Sequence, residues 1–414
     1  MSGSGLLIIG ASQAGVQLAV SLRALGYEPP IMLLGEENHR PYQRPALSKE
    51  FLQGVITKES LIFRSEDYWV EHGIDVVKNE RVIRLDTNPD GSGVAHTMSG
   101  TDIAFDRLAL TVGARPRRLL LPGMDLPGVL YLRNADDALE LKARVPDVHD
   151  VVVIGGGFIG LEAAASLRKM GRRVTVLEAG PRLLGRAVGE ETAAEVLTRH
   201  RSVGIDVVLD AQVVRATARG DQVAGVELAD GTVVPADLVL VGVGVVPNTA
   251  LAESAGLICN NGILVDRQGI ASDGVTVAVG DVANLPNPLG DDDGDRVRFE
   301  SVNNAVEQAK LAAYAITGRR EEYTGVPWFW SNQGDVKLQI AGLSTHHHST
   351  VVRRDSDRGR FSVLYYRGDR LVAADCINTP LDFIAVKAAL TAGAHIPPGA
   401  AADPGIALKT VTVA

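Results

Sequence analysis

"IGGGFIGLEAA", residues 154–164, and "IIGASQAGVQLA", residues 8–19, are two copies of one local pattern. Each reads as a strand that runs into a glycine-rich turn and continues as a helix. Glycines let the backbone turn sharply and approach a pyrophosphate, and the helix N-terminus offers it free N–H groups and a partial positive charge. The sequence therefore predicts two dinucleotide-binding turns in one chain.

The two turns belong to a longer internal repeat. Their alignment pairs Gly10 with Gly155, Ser12 with Gly157 and Gly15 with Gly160. Each copy then enters a second strand that ends at an acid, Glu36 or Glu178, which accepts hydrogen bonds from an adenosine ribose. Two glycine fingerprints in register, each with its acid, indicate two Rossmann-type units. Glu178 favours NADH because it repels the 2′-phosphate of NADPH, although Arg182 and Arg186 follow closely and temper this preference.

Composition limits the class of protein. The chain has 414 residues, 46% of them hydrophobic, with 44 glycines and a net charge of −9. A large α/β core is expected, and the acidic balance argues against nucleic-acid or anionic-membrane binding. The longest apolar run, "ADLVLVGVGVV", is too short to span a bilayer, and "MSGSGLLIIG" has no basic segment typical of a signal peptide. We therefore expect a cytoplasmic protein.

Metal and disulfide sites are not expected. The two cysteines, Cys259 and Cys376, cannot form a CxxC pair or a four-cysteine site and read as buried thiols. "THHHS", residues 345–349, is a weak metal candidate because adjacent histidines of a strand point to opposite faces. "GDDDGD", residues 290–295, lacks the closing glutamate of a calcium loop.

Further motifs indicate a flavin beside the nicotinamide cofactor. "LALTVGARPR", residues 108–117, is a buried strand that closes on Thr111, and "LVLVGVGVVPNTALA", residues 238–252, repeats it after the second unit. "GVTVAVGDVAN", residues 274–284, ends a strand at Asp281, which either bonds the ribityl or pyrophosphate part of a flavin or caps a helix.

Several segments resemble the two-dinucleotide-domain flavoprotein reductases, most closely the putidaredoxin and rubredoxin reductase group. They are "RPYQRPALSKEFL" (40–52), "YLRNADDA" (131–138), "GGGFIGLEAAASLRKMGRRVTVLEAGPRLLGR" (155–186), "VGVGVVPNTALA" (241–252), "VAVGDVAN" (277–284), "RFESVNNAVEQAK" (298–310) and "PWFWSNQGDVKLQIAGL" (327–343). Members of that group pass electrons from NADH through FAD to a small iron–sulfur protein. The resemblance implies that the first turn holds FAD and the second holds NADH.

The resemblance implies two Rossmann-like, glutathione-reductase-like domains and a C-terminal α+β domain. We expect a discontinuous FAD domain at 1–114 and 246–323, an NADH domain at 115–245 and the C-terminal domain at 324–414. Alternation in "VLYYRGDRLVAADCIN" predicts a hairpin around residues 368–369, and "TPLDFIAVKAALTAG" predicts a helix. The tail after "HIPPGAAADPG" is expected to be a surface extension.

Lys49 and Glu162 are the expected catalytic pair. Ser48 is a plausible N-cap, so Lys49 would lie in a first helical turn and oppose the helix dipole. Alone, Lys49 also reads as a surface cation and Glu162 as an acid that favours the dipole of its helix. The resemblance implies that Lys49 lies by the flavin N5 and pairs with Glu162, where the nicotinamide stacks, and that the pair orients and tunes the flavin.

The resemblance also implies the binding residues. For FAD they are Gly10, Ser12, Ala14, Gly15, Glu36, Arg44, Lys49, Val82, Thr111, Arg133, Asp281, Val302 and Trp330. For NADH they are Gly155, Gly157, Ile159, Gly160, Glu178, Arg186 and Gly244. Trp330 would lie near the flavin at the electron exit, although a packed core indole fits it equally well.

The expected reaction has two stages. NADH delivers a hydride to FAD, and single electrons then pass to a two-iron two-sulfur ferredoxin that serves a haem monooxygenase or a ring-hydroxylating dioxygenase. "RPYQRPALSKEFL" has no cysteine where disulfide reductases and NADH peroxidases carry theirs, so the acceptor is external. Alternatives are an NADH oxidase or monodehydroascorbate-type reductase, and a redox-sensing protein like apoptosis-inducing factor.

The partner complex is expected to be transient, and the protein to be a monomer or weak homodimer. The arginine clusters at 115–118 and 353–360 read either as solvated surface or as a basic dock for an acidic ferredoxin.

Overall fold

The computed structural model describes residues 4–290, 294–321 and 325–413. Residues 291–293 of the acidic loop and residue 324, the expected start of the C-terminal domain, lie outside these ranges. The helices of the described residues are α1 Gln13–Ala24, α2 Glu66–Glu71, α3 Ala135–Arg144, α4 Phe158–Lys169, α5 Glu190–Ser202, α6 Ala250–Ser254, α7 Val302–Ile316, α8 Pro380–Ala392 and α9 Pro398–Ala401. The strands are β1 Leu6–Ile9, β2 Ile31–Leu34, β3 Ile74–Val77, β4 Val82–Thr87, β5 Gly93–Thr97, β6 Asp102–Phe105, β7 Arg107–Leu110, β8 Ala114–Pro116, β9 Val129–Tyr131, β10 Asp150–Ile154, β11 Arg173–Leu177, β12 Ile205–Val208, β13 Val213–Arg219, β14 Gln222–Leu228, β15 Val233–Pro235, β16 Leu238–Val241, β17 Val245–Pro247, β18 Ile263–Leu264, β19 Val277–Ala278, β20 Ala283–Pro286, β21 Arg296–Val297, β22 Trp328–Gln333, β23 Val336–Gly342, β24 Ser349–Asp355, β25 Arg360–Arg367 and β26 Arg370–Ile377.

The chain divides into two compact units. The first contains Met1–Gln43, Lys58–Arg115 and Val246–Pro327, and the second contains Arg44–Thr57, Pro116–Val245 and Trp328–Ala414. Residues 44–57 therefore pack with the second unit, whereas the expected FAD domain included them. The division into three domains stays a prediction.

The first unit is built on a parallel sheet of order β19-β7-β1-β2-β3. Its strands are almost entirely apolar, as expected where helices or further strands cover both faces. α1 and α7 pack on one face, and the antiparallel sheet β4-β5-β6 contributes to the core on the other. The first glycine turn follows the central strand β1.

The second unit repeats this plan. Its parallel sheet has the order β12-β11-β10-β16-β9, and the second glycine turn follows the central strand β10. A small antiparallel sheet, β13-β14-β15, contributes to the core on one face. The two Rossmann-like units predicted from the repeated turns are confirmed.

An antiparallel sheet of order β22-β23-β26-β25-β24 completes the second unit. β25 and β26 form the predicted hairpin, with Arg367 opposite Arg370 and a left-handed Gly368 (φ +59°) at the turn. α8 follows as predicted and packs on this sheet through Phe383, Val386 and Ala389.

The expectation that the tail after residue 405 is a surface extension is wrong in part. Leu408, in a final 3-10 turn, is buried in the core with residues of α8, whereas most of the other described residues of 406–413 are exposed. The guanidinium of Arg353, itself buried and paired with Asp382, donates to the carbonyl oxygens of Ala401, Asp403 and Ile406, the last of which lies in the tail. Arg353 thus holds the tail and is not part of a solvent-facing basic dock. Arg354 is also engaged, by Glu195 at 2.7 Å.

Within the described residues, no helix is long and apolar enough to cross a membrane.

Candidate functional site

The first glycine turn is closed against the end of β7. Gly10 has a φ of +117°, and a Cβ there would lie 2.3 Å from the carbonyl oxygen of Thr111. A Cβ at Gly15 would lie 2.1 Å from the carbonyl oxygen of Gly10. The Thr111 hydroxyl donates to that same oxygen at 2.7 Å. Only glycine fits at either position, so the turn has the tight geometry that a dinucleotide pyrophosphate requires.

The N-terminus of α1 lies beside the loop after β19. Ser12 is the extended N-cap residue, and Ala14 is buried in the first turn of the helix. A Cβ at Gly280 would lie 3.0 Å from the Cβ of Ala14, so the loop that carries Asp281 passes close to this helix start. The Gly280 N–H donates to the side chain of Gln308 on α7 at 2.6 Å, which fixes the loop. Sequence reasoning missed Gln308, whose only signal is its place in the quoted helix motif.

Three more of the expected FAD residues lie in this unit. Glu36 follows β2, and its exposed carboxylate lies 3.9 Å from the guanidinium of Arg81. Val82 opens β4 directly after Arg81, with its side chain in the core. Val302 is the first residue of α7. An exposed acid at the end of the second strand suits a ribose partner.

The second glycine turn repeats the first. Gly155 has a φ of +110°, and a Cβ there would lie 2.4 Å from the carbonyl oxygen of Gly242. A Cβ at Gly160 would lie 2.3 Å from the carbonyl oxygen of Gly155. Gly157 caps α4, and apart from its own neighbours in the chain no described residue lies within 4 Å of where its Cβ would be. The backbone before α4 is therefore open to a close-lying phosphate, as a dinucleotide site requires.

Glu178 is held by the turn itself. Its two carboxylate oxygens accept hydrogen bonds from the N–H groups of Gly156 and Gly180, each at 2.7 Å. Ser or Ala at Gly156 would collide with Leu183 and the Glu178 carboxylate. The sequence signals for these two glycines are the middle residue of "GGG" and the final residue of "EAG".

The remaining residues that we expect to bind NADH lie around the same turn. Ile159, in the first turn of α4, is an exposed apolar side chain. Arg186 is exposed, and a Cβ at Gly244 would lie 3.2 Å from its guanidinium. An apolar side chain and a cation near a helix N-terminus suit a dinucleotide, which has both rings and phosphates.

Lys49 and Glu162 form a buried ion pair. Nζ of Lys49 lies 2.8 Å from Oε2 of Glu162, and the residues are 7% and 3% exposed. The Ser48 hydroxyl donates to the same oxygen at 2.6 Å, and the Ser331 hydroxyl donates to Oε1 at 2.8 Å. The interpretation of Lys49 as a solvated surface cation is therefore wrong.

The predicted helix start at Ser48 is also wrong. Residues 47–54 form turns, with bonds from the Lys49 N–H to Ala46 and from the Gln53 N–H to Lys49, and no α-helix begins there. The Ser48 hydroxyl serves Glu162 and does not cap a helix. Lys49 therefore does not oppose a helix dipole, and it is instead buried beside Glu162.

The structure brings two predicted arginines together. Nη1 of Arg44 donates to the carbonyl oxygen of Arg133 at 2.9 Å. The Arg133 N–H donates to Asp137, which forms a capping box with Asn134 at the start of α3. Their predicted role near FAD stays a prediction.

Trp330 lies on β22 beside Ser331, so its side chain is on the opposite face from the hydroxyl that reaches Glu162. Its ring centroid lies 5.4 Å from that of Trp328, and the indole is only half-buried. Trp330 is therefore not a fully packed core indole.

Neither thiol is poised for redox chemistry. Cys376 is fully buried, and burial raises its pKa to about 12. Cys259 is half-buried in the first unit, and burial raises its pKa as well. Among the described residues there is no cluster of three His, Cys, Asp or Glu side chains that could hold a metal ion.

Comparison with known proteins agrees with this geometry. Residues 4–309 match the pyridine nucleotide-disulphide oxidoreductase family, and residues 328–412 match the reductase C-terminal family. Rhodocoxin reductase of Rhodococcus erythropolis is 41% identical over 98% of this chain and 93% of its own length. The ferredoxin reductase for the CYP199A2 system of Rhodopseudomonas palustris is 40% identical, with a TM-score of 0.93 and 99% of both chains covered. Putidaredoxin reductase in its covalent complex with putidaredoxin is 36% identical, with a TM-score of 0.92 over 98% of this chain and 97% of that one. The chain therefore belongs to the pyridine nucleotide-disulphide oxidoreductase family and is an oxidoreductase that uses FAD and NAD(H).

Proposed function

We propose that this chain is an NADH-dependent ferredoxin reductase, which passes electrons through FAD to a two-iron two-sulfur ferredoxin of an oxygenase system. One observation carries the choice of acceptor. Segment 44–57 brings Ser48 and Lys49, and no cysteine, to Glu162, while both thiols have raised pKa values. Electrons therefore leave without a protein disulfide. Relatives over nearly the full length include reductases named for redox-protein partners.

The chain's residues bind and orient the two dinucleotides. The turn at Gly10 and Gly15 holds the FAD pyrophosphate, and the turn at Gly155 and Gly160 holds that of NADH. When bound, FAD supplies the chemistry that couples the two-electron transfer from NADH to two one-electron transfers to the acceptor. Lys49 orients and electrostatically tunes the flavin, with Glu162 as its buried counter-ion.

Docking of the ferredoxin is proposed on the face formed by β22 and α8. Leu381 and Ile384 of α8 are 73% and 60% exposed, which is unusual for residues of their size. The ammonium of Lys387 on the same helix lies 4.6 Å from the Trp328 ring centroid. Apolar side chains next to a cation suit a small acidic redox protein, and the complex is expected to weaken with salt.

The decisive experiment is anaerobic stopped-flow absorbance. The FAD-loaded protein is mixed with NADH or NADPH, and then with two-iron ferredoxins. Flavin bleaching by NADH followed by fast ferredoxin reduction is the expected result. Bleaching that only quinones, dehydroascorbate or oxygen reverse quickly would instead identify a small-molecule reductase. Slow reoxidation by every acceptor would favour a redox-sensing protein.

Leu381→Asp tests the docking face, since Leu381 lies on that face and outside both glycine turns. Reduction by NADH is expected to stay unchanged, while the second-order rate with ferredoxin falls about tenfold. Equal ferredoxin rates for the parent and Leu381→Asp would place the docking face elsewhere.

A cytoplasmic location and a monomeric or weakly dimeric state belong to the same proposal. Gel filtration of the holoprotein tests the oligomeric state.

A further inference from the structure

The carboxylate of Glu162 is fixed from two sides. Oε2 accepts from Ser48 and Lys49, which are neighbours in segment 44–57. Oε1 accepts from Ser331, which lies on β22 and is 169 residues away in the chain. Among the described residues, Ser331 is the one side chain that donates a hydrogen bond to Oε1 of Glu162. Its loss would leave a buried carboxylate oxygen without a donor and free the carboxylate to rotate.

The hydroxyl of Ser331 has a defined direction. It is fully buried, and the side-chain amide of Gln333, two residues along the same strand, donates to its oxygen at 3.1 Å. A serine hydroxyl has one proton and two acceptor positions. Because Gln333 occupies an acceptor position, the proton of Ser331 is directed at Glu162.

The position of the Lys49 ammonium depends on this arrangement. Nζ of Lys49 lies 2.8 Å from Oε2 of Glu162, whereas Ser331 donates to Oε1 of the same carboxylate. A rotation of the carboxylate moves or releases the ammonium of Lys49, because the lysine side chain is long and flexible and does not fix the ammonium by itself. Sub-ångström placement of such groups strongly affects rates.

We propose that Ser331 is a positioning residue for the reduction of the flavin by NADH: it holds Glu162, and through Glu162 it sets the place of the Lys49 ammonium. This rests on the proposed function only in that Lys49 acts on the flavin. The nature of the final electron acceptor does not enter.

The test is the limiting rate of flavin bleaching by NADH, measured anaerobically in the holoprotein without ferredoxin. Ser331→Ala is expected to lower this rate about tenfold, with less than a twofold change in the NADH concentration for half-maximal rate. Ser331→Thr keeps the hydroxyl and is expected to restore most of the rate. Ser349→Ala, at an exposed serine of the same sheet, is the matched control and should equal the parent.

A double-mutant cycle separates positioning from a general structural role. In a Glu162→Ala background, Ser331→Ala is expected to have no further effect on the rate, because Ser331 acts only through Glu162. The absorbance spectrum of bound FAD is the readout independent of turnover: it should change in Ser331→Ala and return in Ser331→Thr. If Ser331→Ala does not fold, Gln333→Leu, which leaves the hydroxyl in place but undirected, should give a smaller loss in the same sense.

Two results would overturn the inference. One is a bleaching rate of Ser331→Ala within twofold of the parent, and the other is an undiminished effect in the Glu162→Ala background. Failure of the proposed acceptor is recognised separately, because ferredoxin would then stay oxidised while the bleaching rates of these variants still differ.

Discussion

Asp375 on β26 gives the stability of this protein a distinctive pH dependence. The residue is 1% exposed, and burial raises its pKa from 3.8 to about 6, although the Tyr365 hydroxyl donates to it at 2.5 Å. Tyr365 in turn accepts the N–H of Gly189 at 3.0 Å. Hydrogen bonding thus offsets only part of the cost of burying the charge, and Glu191 adds to that cost.

The sign of the effect follows from proton binding. Between the unfolded pKa of 3.8 and the folded pKa of about 6, the folded state holds a proton that the unfolded state has released. The free energy of unfolding therefore falls as the pH rises through this window. Roughly two pKa units correspond to about 3 kcal/mol in total, of which about half falls between pH 5 and pH 8.

Asp375→Asn removes this dependence, because the amide still accepts from Tyr365 and does not titrate. Urea unfolding of the FAD-saturated protein, followed by circular dichroism from pH 5 to pH 8, measures it. Relative to Asp375→Asn, the parent is expected to lose about half of that free energy of unfolding over this range. Asp369→Asn, at the exposed turn of the same hairpin, is the control and should follow the parent. Parallel curves for the parent and Asp375→Asn would refute the assignment of a raised pKa to Asp375.

Three further changes test the glycine turns and the tail. Gly10→Ala forces a Cβ against the Thr111 carbonyl, so the purified variant should retain much less FAD, as the ratio of flavin to protein absorbance will show. Glu178→Ala removes the acid beside the second turn and should weaken NADH binding about tenfold in a fluorescence titration. It should also reduce the preference for NADH over NADPH. An unchanged preference would mean that another group excludes the 2′-phosphate. Arg353→Ala leaves Asp382 and the tail carbonyls without their buried partner and should cost about 3 kcal/mol in urea unfolding, whereas a loss below 1 kcal/mol would show that the tail is held by apolar packing alone.

The glycine turns and the hairpin could be predicted because their requirements are local. A backbone that must adopt a positive φ or come within contact of another backbone accepts little but glycine, so Gly10 and Gly155 are visible in the sequence. The hairpin at Gly368 follows from the alternation on both sides of it.

The surroundings of Lys49 could not be predicted, because they depend on residues distant in the chain. Ser48 read as a helix cap, since serine before a helical stretch usually is one, and the competing acceptor 114 residues away has no local signature. Ser331 was missed for the same reason. The burial of Leu408 in the tail was missed because the small and polar residues around it have little core-forming pattern, and the buried Arg353 that donates to the Ile406 carbonyl read as a surface charge.

The internal repeat extends further than the glycine turns themselves. Thr111 and Gly242 each follow the last residue of the neighbouring strand, and their N–H groups donate to Ile9 and Ile154 at 2.8 Å in both units. This backbone hydrogen bond, present in both units, fixes the position of the residue whose carbonyl closes each glycine turn, Thr111 in one and Gly242 in the other.

The backbone geometry of the two turns is therefore shared, and we expect the preference of each turn for one dinucleotide to come from side chains outside the turn. The acids illustrate the difference. Glu36 is an exposed carboxylate near Arg81, whereas both oxygens of Glu178 are already held by the amides of its own turn. We expect a ligand at Glu178 to meet a charge of fixed direction, which would reject an added phosphate more strictly than a mobile acid would. On this prediction, two copies of one turn serve different cofactors without any change in the fold.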